Sequence, residues 1–238
     1  MISSLSNEKI KNIAKLNEKK YRDQTGLFIV EGPHLVNEAK MLDLLEEVYS
    51  INGEGINVSI DVMKKICNTD TPTSIIGICR KLNKEEITNR ILILDRIQDP
   101  GNMGTLIRSA VSFGFDTIVL SKGCVDIYNP KVVRSSQGAL FKVNIIYADI
   151  IEFISKLEEY DVYGTSLVNG IPLQNIKPKE KMAIILGNEG QGIDKEILKN
   201  NKNIFIEMKN MESLNVSIAG SIIMYNLSVG KWFFCHLS

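Results

Sequence analysis

Short apolar runs alternate with longer mixed stretches throughout the second half of the chain. The apolar runs occur at residues 91–94, 117–120, 143–146, 162–165, 183–186 and 204–206. Stretches with a helical spacing of apolar residues lie between most of them, at residues 103–113, 130–139, 149–158 and 192–200. Strands that alternate with helices in this way indicate an α/β fold, with a mostly parallel sheet and helices on both faces.

The apolar pattern ends with a predicted helix over residues 214–228. Its apolar residues, such as Ile218 and Ile222, surround nearly the whole circumference. A helix that is apolar on all sides is buried, either in a core or between subunits. Ser217 and Gly220 belong to a stripe of small residues on this helix, which allows another backbone to approach closely.

The first 82 residues contain shorter elements. Ser6 or Asn7 can cap a helix that runs to about Lys20. Further strands are predicted at residues 26–32, 47–51 and 74–79, with helices around residues 35–42 and 61–67. A polar and charged stretch follows. We therefore expect a small α/β domain over 1–82, a linker over 83–90 and the larger α/β domain over 91–238.

The charge of the chain is balanced overall but uneven locally. It carries 28 basic and 28 acidic residues, so its formal net charge is zero. That balance argues against strong overall attraction to nucleic acid. Six basic residues nevertheless lie between Lys9 and Arg22, where Glu18 is the only acidic residue. This stretch could supply phosphate contacts or could be an ordinary solvated helix face.

Cysteine and histidine usage argues against a metal site. The four cysteines show no paired spacing, and His34 and His236 are the only histidines. We therefore expect reduced thiols and no bound metal. Because the N-terminus lacks an apolar signal core and no apolar run is long enough to span a membrane, we expect a cytoplasmic protein.

Candidate chemistry is concentrated in three segments that follow or flank predicted strands, at residues 102–108, 186–192 and 212–217. In open α/β sheets, ligands bind at the carboxyl ends of the strands. In the first segment, Asn102 suits the cap of a helix that begins near Met103. Arg108 can return along that helix toward the strand end, because Gly104 leaves its path open. Read alone, these two residues could equally be a helix cap and a surface arginine.

The second segment, Leu-Gly-Asn-Glu-Gly-Gln-Gly, combines three glycines with Glu189. Glycines allow positive φ angles and close approach of a ligand, although a tight strand–helix turn would also use them. The segment matches neither the dinucleotide-binding pattern nor a P-loop, which argues against an unrelated nucleotide-binding enzyme. The third segment places Ser213, Asn215 and Ser217 at the start of the last helix, where their polar groups need partners.

In this order, the three segments resemble the motifs of the SpoU (TrmH-type) family of RNA ribose 2′-O-methyltransferases, part of the SPOUT superfamily. The resemblance covers roughly residues 91–230, and residues 20–39 more loosely resemble the family's ribosomal-protein-like substrate-binding domain. It implies a trefoil knot in the larger domain, which periodicity alone could not indicate. It also implies S-adenosyl-methionine as cofactor, RNA as substrate (ribosomal RNA in preference to tRNA) and a homodimer formed through the C-terminal domain.

The resemblance also implies roles for individual residues. The catalytic candidates are Asn102, Arg108, Glu189, Ser213 and Asn215. The cofactor-binding candidates are Thr165, Ser166, Leu167, Leu186, Gly187, Asn188, Gly190, Ile206, Met208 and Leu214. The RNA-binding candidates are Lys19, Lys20, Arg22 and Arg108.

Two features qualify these implied roles. Because a guanidinium stays protonated, we expect Arg108 to bind an RNA phosphate and stabilise a developing alkoxide, or to pass the proton on to that phosphate. Glu207 and Asn210 stand where the family often has proline and glycine, so the cofactor loop should differ locally. The alternative is an RNA-binding protein that has the fold but no turnover.

Overall fold

The computed structural model describes residues 1–82, 86–211 and 213–228. The chain forms two compact units, of which the first comprises residues 1–82 together with 126–141. The rest of the described chain forms the second unit. The sequence pattern assigned residues 126–141 to the larger domain, whereas in the structure this segment packs within the first unit. The ring of Phe28 lies 4.7 Å from that of Tyr128 and 6.4 Å from that of Phe141.

The first 82 residues form four helices and four strands. In chain order they are α1 (Glu8–Lys15), α2 (Lys19–Thr25), β1 (Leu27–Glu31), α3 (Pro33–Met41), β2 (Leu45–Ser50), β3 (Ile56–Asn57), α4 (Ile60–Ile66) and β4 (Ile75–Arg80). The sheet order is β1-β4-β2-β3. Strand β4 is antiparallel to both β1 and β2, and β3 adds a short parallel edge.

The predicted single N-terminal helix is two helices in the structure. Asn7 caps α1, since its side chain accepts hydrogen bonds from the backbone N–H groups of Lys9 and Ile10. The chain leaves the helix after Lys15, and the guanidinium of Arg22 donates to the Leu16 carbonyl across the break at 2.8 Å. This side-chain contact from α2 stabilises the interruption, which the helical pattern of the sequence did not indicate.

Within residues 90–228, the described part of the chain forms seven strands and five helices. In chain order they are β5 (Arg90–Asp95), α5 (Pro100–Ser112), β6 (Thr117–Leu120), α6 (Pro130–Ser136), β7 (Asn144–Tyr147), α7 (Ile150–Ser155), β8 (Asp161–Thr165), β9 (Gly170–Pro172), β10 (Met182–Gly187), α8 (Lys195–Lys199), β11 (Lys202–Phe205) and α9 (Val216–Ser228). Short 3₁₀ turns at Ala139–Lys142 and Leu173–Asn175 complete the set. Helix α6 belongs to the first unit.

The second unit is built on a seven-stranded sheet with the order β7-β6-β5-β10-β8-β11-β9. Every pairing in it is parallel. The predicted α/β class and parallel sheet are therefore confirmed, while the trefoil knot stays a prediction. Strands β5 and β10 are almost entirely buried. Because they pair in parallel, their carboxyl ends bring the first two motif segments to one edge of the sheet.

Helix α9 is buried on one face only. Its Gly220 packs against Leu106 of α5 and Leu186 of β10, and a Cβ atom there would lie 2.6 and 2.5 Å from their methyl groups. The opposite face exposes Ile218 and Ile222. Part of α9 is therefore uncovered in a single chain, although the sequence predicts a helix that is buried on all sides.

None of the helices in the described residues has the length and apolarity needed to cross a membrane. Within the same residues, no group of three or more His, Cys, Asp or Glu side chains is arranged to hold a metal ion.

Candidate active site

Helix α5, which carries the first motif segment, begins at Pro100, three residues before the predicted start near Met103. Asp99, not Asn102, caps α5, because its side chain accepts a hydrogen bond from the Asn102 backbone N–H at 2.8 Å. Pro100 follows at the first helical position, where its fixed φ favours a helix start. The predicted cap at Asn102 is therefore wrong. The consequence is that the Asn102 side chain is available for other contacts.

The Asn102 side chain joins all three motif segments. Its Nδ2 donates to Glu189 Oε1 at 2.7 Å, and its Oδ1 accepts from Asn215 Nδ2 at 3.0 Å. We call Glu189, Asn102 and Asn215 the Asn102 network. Because a carboxylate only accepts and an amide nitrogen only donates, the two contacts fix the orientation of the Asn102 amide.

Asn215 has a second role at the start of α9. Its Oδ1 accepts hydrogen bonds from the Ser217 backbone N–H at 2.9 Å and from Ser217 Oγ at 2.6 Å. This is a helix cap, which satisfies otherwise unpaired backbone donors. The position of Asn215 in the network is therefore tied to the start of the helix. Glu212, from the same segment, lies outside the described residues.

Arg108 is exposed on α5 and is not joined to the Asn102 network. Among the residues that the structure describes, none forms a hydrogen bond or ion pair with its guanidinium. It lies six residues after Asn102, which corresponds to roughly 9 Å along a helix axis. Its cationic group is thus available to a ligand outside the described chain.

The loop after β10 carries Glu189 in a tightly folded turn. Gly187 has no room for a Cβ atom, because the backbone of Gly192 and Ile193 folds back against it. The side-chain oxygen of Asn188 accepts from the backbone N–H groups of Gly190 and Gln191 at 2.9 and 3.1 Å. These contacts give the loop a fixed shape that projects Glu189 toward Asn102.

Arg96, which is absent from the predicted site residues, holds this loop. Its Nη1 donates to Gln191 Oε1 at 2.9 Å, and its carbonyl accepts from Asn188 Nδ2 at 3.0 Å. Its Nη2 also pairs with the buried carboxylate of Asp95 at 2.8 Å, and this contact raises the pKa of Arg96. Arg96 has a left-handed φ of 56°, which is uncommon for a residue with a side chain. A charged pair directly after a buried strand was the sequence signal that could have indicated it.

A cavity of about 270 Å³ lies beside the start of α9. Six of the ten predicted cofactor residues line it, together with the catalytic candidate Ser213: Thr165, Ser166, Leu167, Ile206, Met208 and Leu214. The other four, Leu186, Gly187, Asn188 and Gly190, are not among its lining residues; they form the end of β10 and the loop that carries Glu189. The predicted cofactor set is therefore divided between a cavity and a neighbouring turn of the chain.

A larger cavity of about 830 Å³ shares part of this lining, including Ile206 and Met208. It also contacts Glu207, which stands at the position where the family often has proline. Gln174 Nε2 donates to the Glu207 carboxylate at 2.6 Å. A hydrogen bond to a side chain thus holds the loop at this position.

The predicted RNA-binding residues of the first unit differ in accessibility. Lys19 and Lys20 are exposed; Lys19 pairs with Asp23 at 3.0 Å, and the Lys20 ammonium lies 5.8 Å from the centre of the Tyr21 ring. Arg22 is only 2% exposed. Its Nη2 pairs with Asp126 at 2.6 Å. This corrects the prediction for Arg22, whose guanidinium is buried in an ion pair and cannot meet a phosphate in this structure.

Comparison with known proteins identifies the class of protein to which this fold and site correspond. The chain belongs to the SpoU rRNA Methylase family, whose model matches residues 89–225. The MRM3-like substrate binding domain matches residues 7–54. The resemblance seen in the three motif segments is confirmed.

Individual relatives match over nearly the whole chain. The 23S rRNA (guanosine(2553)-2′-O)-methyltransferase RlmP of Bacillus subtilis is 37% identical, over 95% of this chain and 98% of the relative. The AdoMet-bound rRNA methyltransferase from Sinorhizobium meliloti has a TM-score of 0.87 and 27% identity, over 95% of this chain and 96% of that one. A putative RNA methyltransferase of the TrmH family from Porphyromonas gingivalis has a TM-score of 0.83 and 30% identity, over 94% and 98% of the two chains.

Proposed function

We propose that this protein transfers a methyl group from S-adenosyl-methionine to a ribose 2′-hydroxyl of ribosomal RNA. The observation that carries the proposal is the Asn102 network, which joins three separate motif segments at the carboxyl edge of a parallel sheet. Ligands bind at this edge in open α/β sheets. Family membership and the activity named for the Bacillus subtilis relative support the same conclusion.

The cavity beside α9, together with the cavity of about 830 Å³ that shares part of its lining, suits S-adenosyl-methionine. Its lining combines apolar side chains such as Leu167, Ile206 and Leu214 with the hydroxyl-bearing residues Thr165 and Ser213. Small-molecule sites are typically apolar concavities with a few placed polar groups, which is the character of this cavity. When bound, S-adenosyl-methionine supplies a methyl group that is already activated for transfer.

The protein would contribute mainly alignment and charge stabilisation. Arg108, an exposed cation, would bind the RNA phosphate next to the target ribose and stabilise the negative charge that develops on the 2′-oxygen. Its guanidinium does not act as a free base, because it stays protonated; the hydroxyl proton would pass to that phosphate. The Asn102 network would position the ribose, and Ser213 would orient the nucleotide or cofactor.

The first unit would bind the RNA substrate. Lys19 and Lys20 are exposed on α2, and the substrate-binding family match over residues 7–54 includes them. We prefer ribosomal RNA to tRNA because the Bacillus subtilis relative is named for 23S rRNA. A tRNA substrate and an RNA-binding protein without turnover remain the competing functions.

We also propose that the protein is a homodimer formed through α9. Ile218, Ile222 and Tyr225 lie on one side of this helix and are 51%, 39% and 57% exposed. Residues three and four positions apart share a helix face, so these side chains form one apolar strip. A second copy of the chain would cover this strip and complete the burial that the sequence pattern indicates.

Methyl transfer to defined RNAs tests the proposed function. Purified protein would be incubated with labelled S-adenosyl-methionine and either an unmethylated 23S rRNA transcript or unmodified tRNA, and modified nucleotides would be mapped by mass spectrometry. We expect a single 2′-O-methylated ribose in the 23S rRNA. Methylation of tRNA alone would show that the substrate is tRNA and not ribosomal RNA. RNA binding without transfer to either RNA would favour the non-catalytic alternative.

A further inference from the structure

The second unit contains a large cavity that the proposed reaction does not use. It measures about 720 Å³ and lies where β5, β6 and β7 end. Leu120, Ile150 and Ile197 give it an apolar base. None of the predicted catalytic or cofactor residues lines it. Its volume is in the range of small-molecule sites, and its place at the carboxyl ends of parallel strands is where such sites occur.

Most polar groups around this cavity already have partners. The Asp95 carboxylate accepts hydrogen bonds from Arg96, from Ser121 Oγ and from the Asp194 backbone N–H. The Asp149 and Asp194 side chains cap α7 and α8. These carboxylates therefore serve the fold, and none of them has the unpaired, buried character of a metal or proton site.

Five lining residues are exposed to solvent: Lys122, Tyr147 and Ile151, and the helix-capping Asp149 and Asp194. Tyr147 and Ile151 are 61% and 43% exposed. Lys122 is also exposed, and in the described part of the chain no side chain forms a hydrogen bond or ion pair with its ammonium group. The cavity thus presents an aromatic ring and an aliphatic side chain beside one available cation. A flat base with an attached phosphate has the complementary chemistry.

Arg96 connects this cavity to the Asn102 network. It lines the cavity and also donates to Gln191 in the loop that carries Glu189. An RNA strand with its target ribose at the network would therefore pass close to the cavity. We propose that the cavity binds a second nucleotide of the substrate RNA, with its base against Tyr147 and Ile151 and its phosphate at Lys122. This inference rests on the proposed function.

Salt-dependent RNA binding separates the two parts of the proposed subsite. Affinity for the unmethylated 23S rRNA transcript would be measured from low to high salt for the wild type and for variants. Lys122→Ala should reduce the slope of log K against log salt by about 0.7 to 0.9, the effect of one lost phosphate contact. Tyr147→Ala should weaken binding by roughly 5- to 150-fold with an unchanged slope, because stacking involves no counterion release.

Matched variants make the result decisive. Lys156→Ala, in which the exposed lysine directly after α7 loses its ion pair with Glu152, should behave as wild type. Tyr147→Phe should retain binding, because the ring remains. Calorimetry should show unchanged S-adenosyl-methionine affinity in every variant, which verifies that each is folded.

The outcomes distinguish this inference from the proposed function. Wild-type protein that methylates the transcript, together with Lys122→Ala and Tyr147→Ala variants indistinguishable from Lys156→Ala, would overturn the second-nucleotide subsite alone. A wild type that binds no RNA and transfers no methyl group would overturn the proposed function and this inference with it.

Discussion

At the scale of single residues, Asn102 explains how three distant segments meet. Its amide donates to Glu189 and accepts from Asn215, so one side chain links the loop after β10 to the start of α9. The sequence indicated that all three segments carry polar residues at one edge of the sheet. It could not indicate the pairing, because Asn102 looked like a helix cap until Asp99 was seen to hold that position.

Arg108 provides the sharpest test of catalysis at this scale. Arg108→Ala should reduce the methyl-transfer rate by about 10²- to 10³-fold, since one stabilising donor at a developing oxyanion is lost. Affinity for S-adenosyl-methionine should stay the same, because Arg108 does not line the cavity beside α9. Arg108→Lys should not restore the rate, because lysine lacks the planar fork. Single-turnover transfer with saturating RNA measures this effect, and a folded Arg108→Ala variant with a normal rate would exclude a catalytic role.

Arg22 and the neighbouring lysines should give opposite results. Arg22→Ala leaves the Asp126 carboxylate without its buried partner and should lower the free energy of unfolding by about 3 to 5 kcal/mol. The double variant Lys19→Ala/Lys20→Ala should leave the unfolding free energy almost unchanged and weaken RNA binding, more strongly at low salt. Chemical denaturation and filter binding on the same proteins separate the two roles. Weaker RNA binding by fully folded Arg22→Ala would restore Arg22 to the RNA-binding set.

At the scale of elements, Asp161 on β8 makes stability depend on pH. Partial burial acts to raise the pKa of this carboxyl group, but hydrogen bonds from Lys202 and Lys179 outweigh it and hold the pKa below its ordinary value of 3.8. Because the folded-state pKa is depressed, this contribution to stability is present above pH 3.8 and disappears as the pH falls through the folded value.

Asp161→Asn should therefore be less stable than wild type at pH 7, and the difference should shrink as the solution becomes more acidic than pH 3.8. Chemical denaturation at pH 7 and below pH 3.8 measures both free energies. Asp70→Asn, a change at an exposed position, serves as the control. A stability difference that is constant over this pH range would contradict the role of the ion pairs.

Helices and strands could be predicted from the sequence where the pattern of their own residues determines them. The six predicted strands of the second unit correspond to β5, β6, β7, β8, β10 and β11, because each is a short run in which at least half of the residues are β-branched. Strand β9 was missed, since Gly170–Pro172 has only three residues and ends in proline. The break between α1 and α2 was also missed, because the contact of the Arg22 side chain with the Leu16 carbonyl leaves no periodic signal.

At the scale of the whole molecule, the exposed strip on α9 predicts the oligomeric state. Ile218→Arg combined with Ile222→Arg places two charges in the proposed interface, where desolvating unpaired charge is costly. The variant should be monomeric in sedimentation experiments at concentrations where the wild type is a dimer. Its melting temperature should be read together with its mass, because loss of a partner lowers apparent stability. A monomeric wild type would refute the proposed dimer.

The composition of the first unit predicts which fragments fold. Residues 1–82 alone lack the segment 126–141, whose Tyr128 and Phe141 pack against Phe28 and whose Asp126 neutralises buried Arg22. We therefore expect the fragment 1–82 to be unstable. The Leu82 backbone N–H donates to Tyr128 Oη at 2.8 Å, so a short glycine–serine linker from residue 82 to residue 126 can complete the unit. This fusion, 1–82 joined to 126–141, should show a cooperative thermal transition.

The same fusion carrying Asp126→Asn provides the matched control. It keeps the length and the aromatic contacts but removes the charge that pairs with Arg22, so its transition should occur at lower temperature. Circular dichroism melts of the three proteins measure these differences. If 1–82 alone melted as cooperatively and at as high a temperature as the fusion, residues 126–141 would be dispensable to the first unit, and a contiguous boundary near residue 82 would describe the domain correctly.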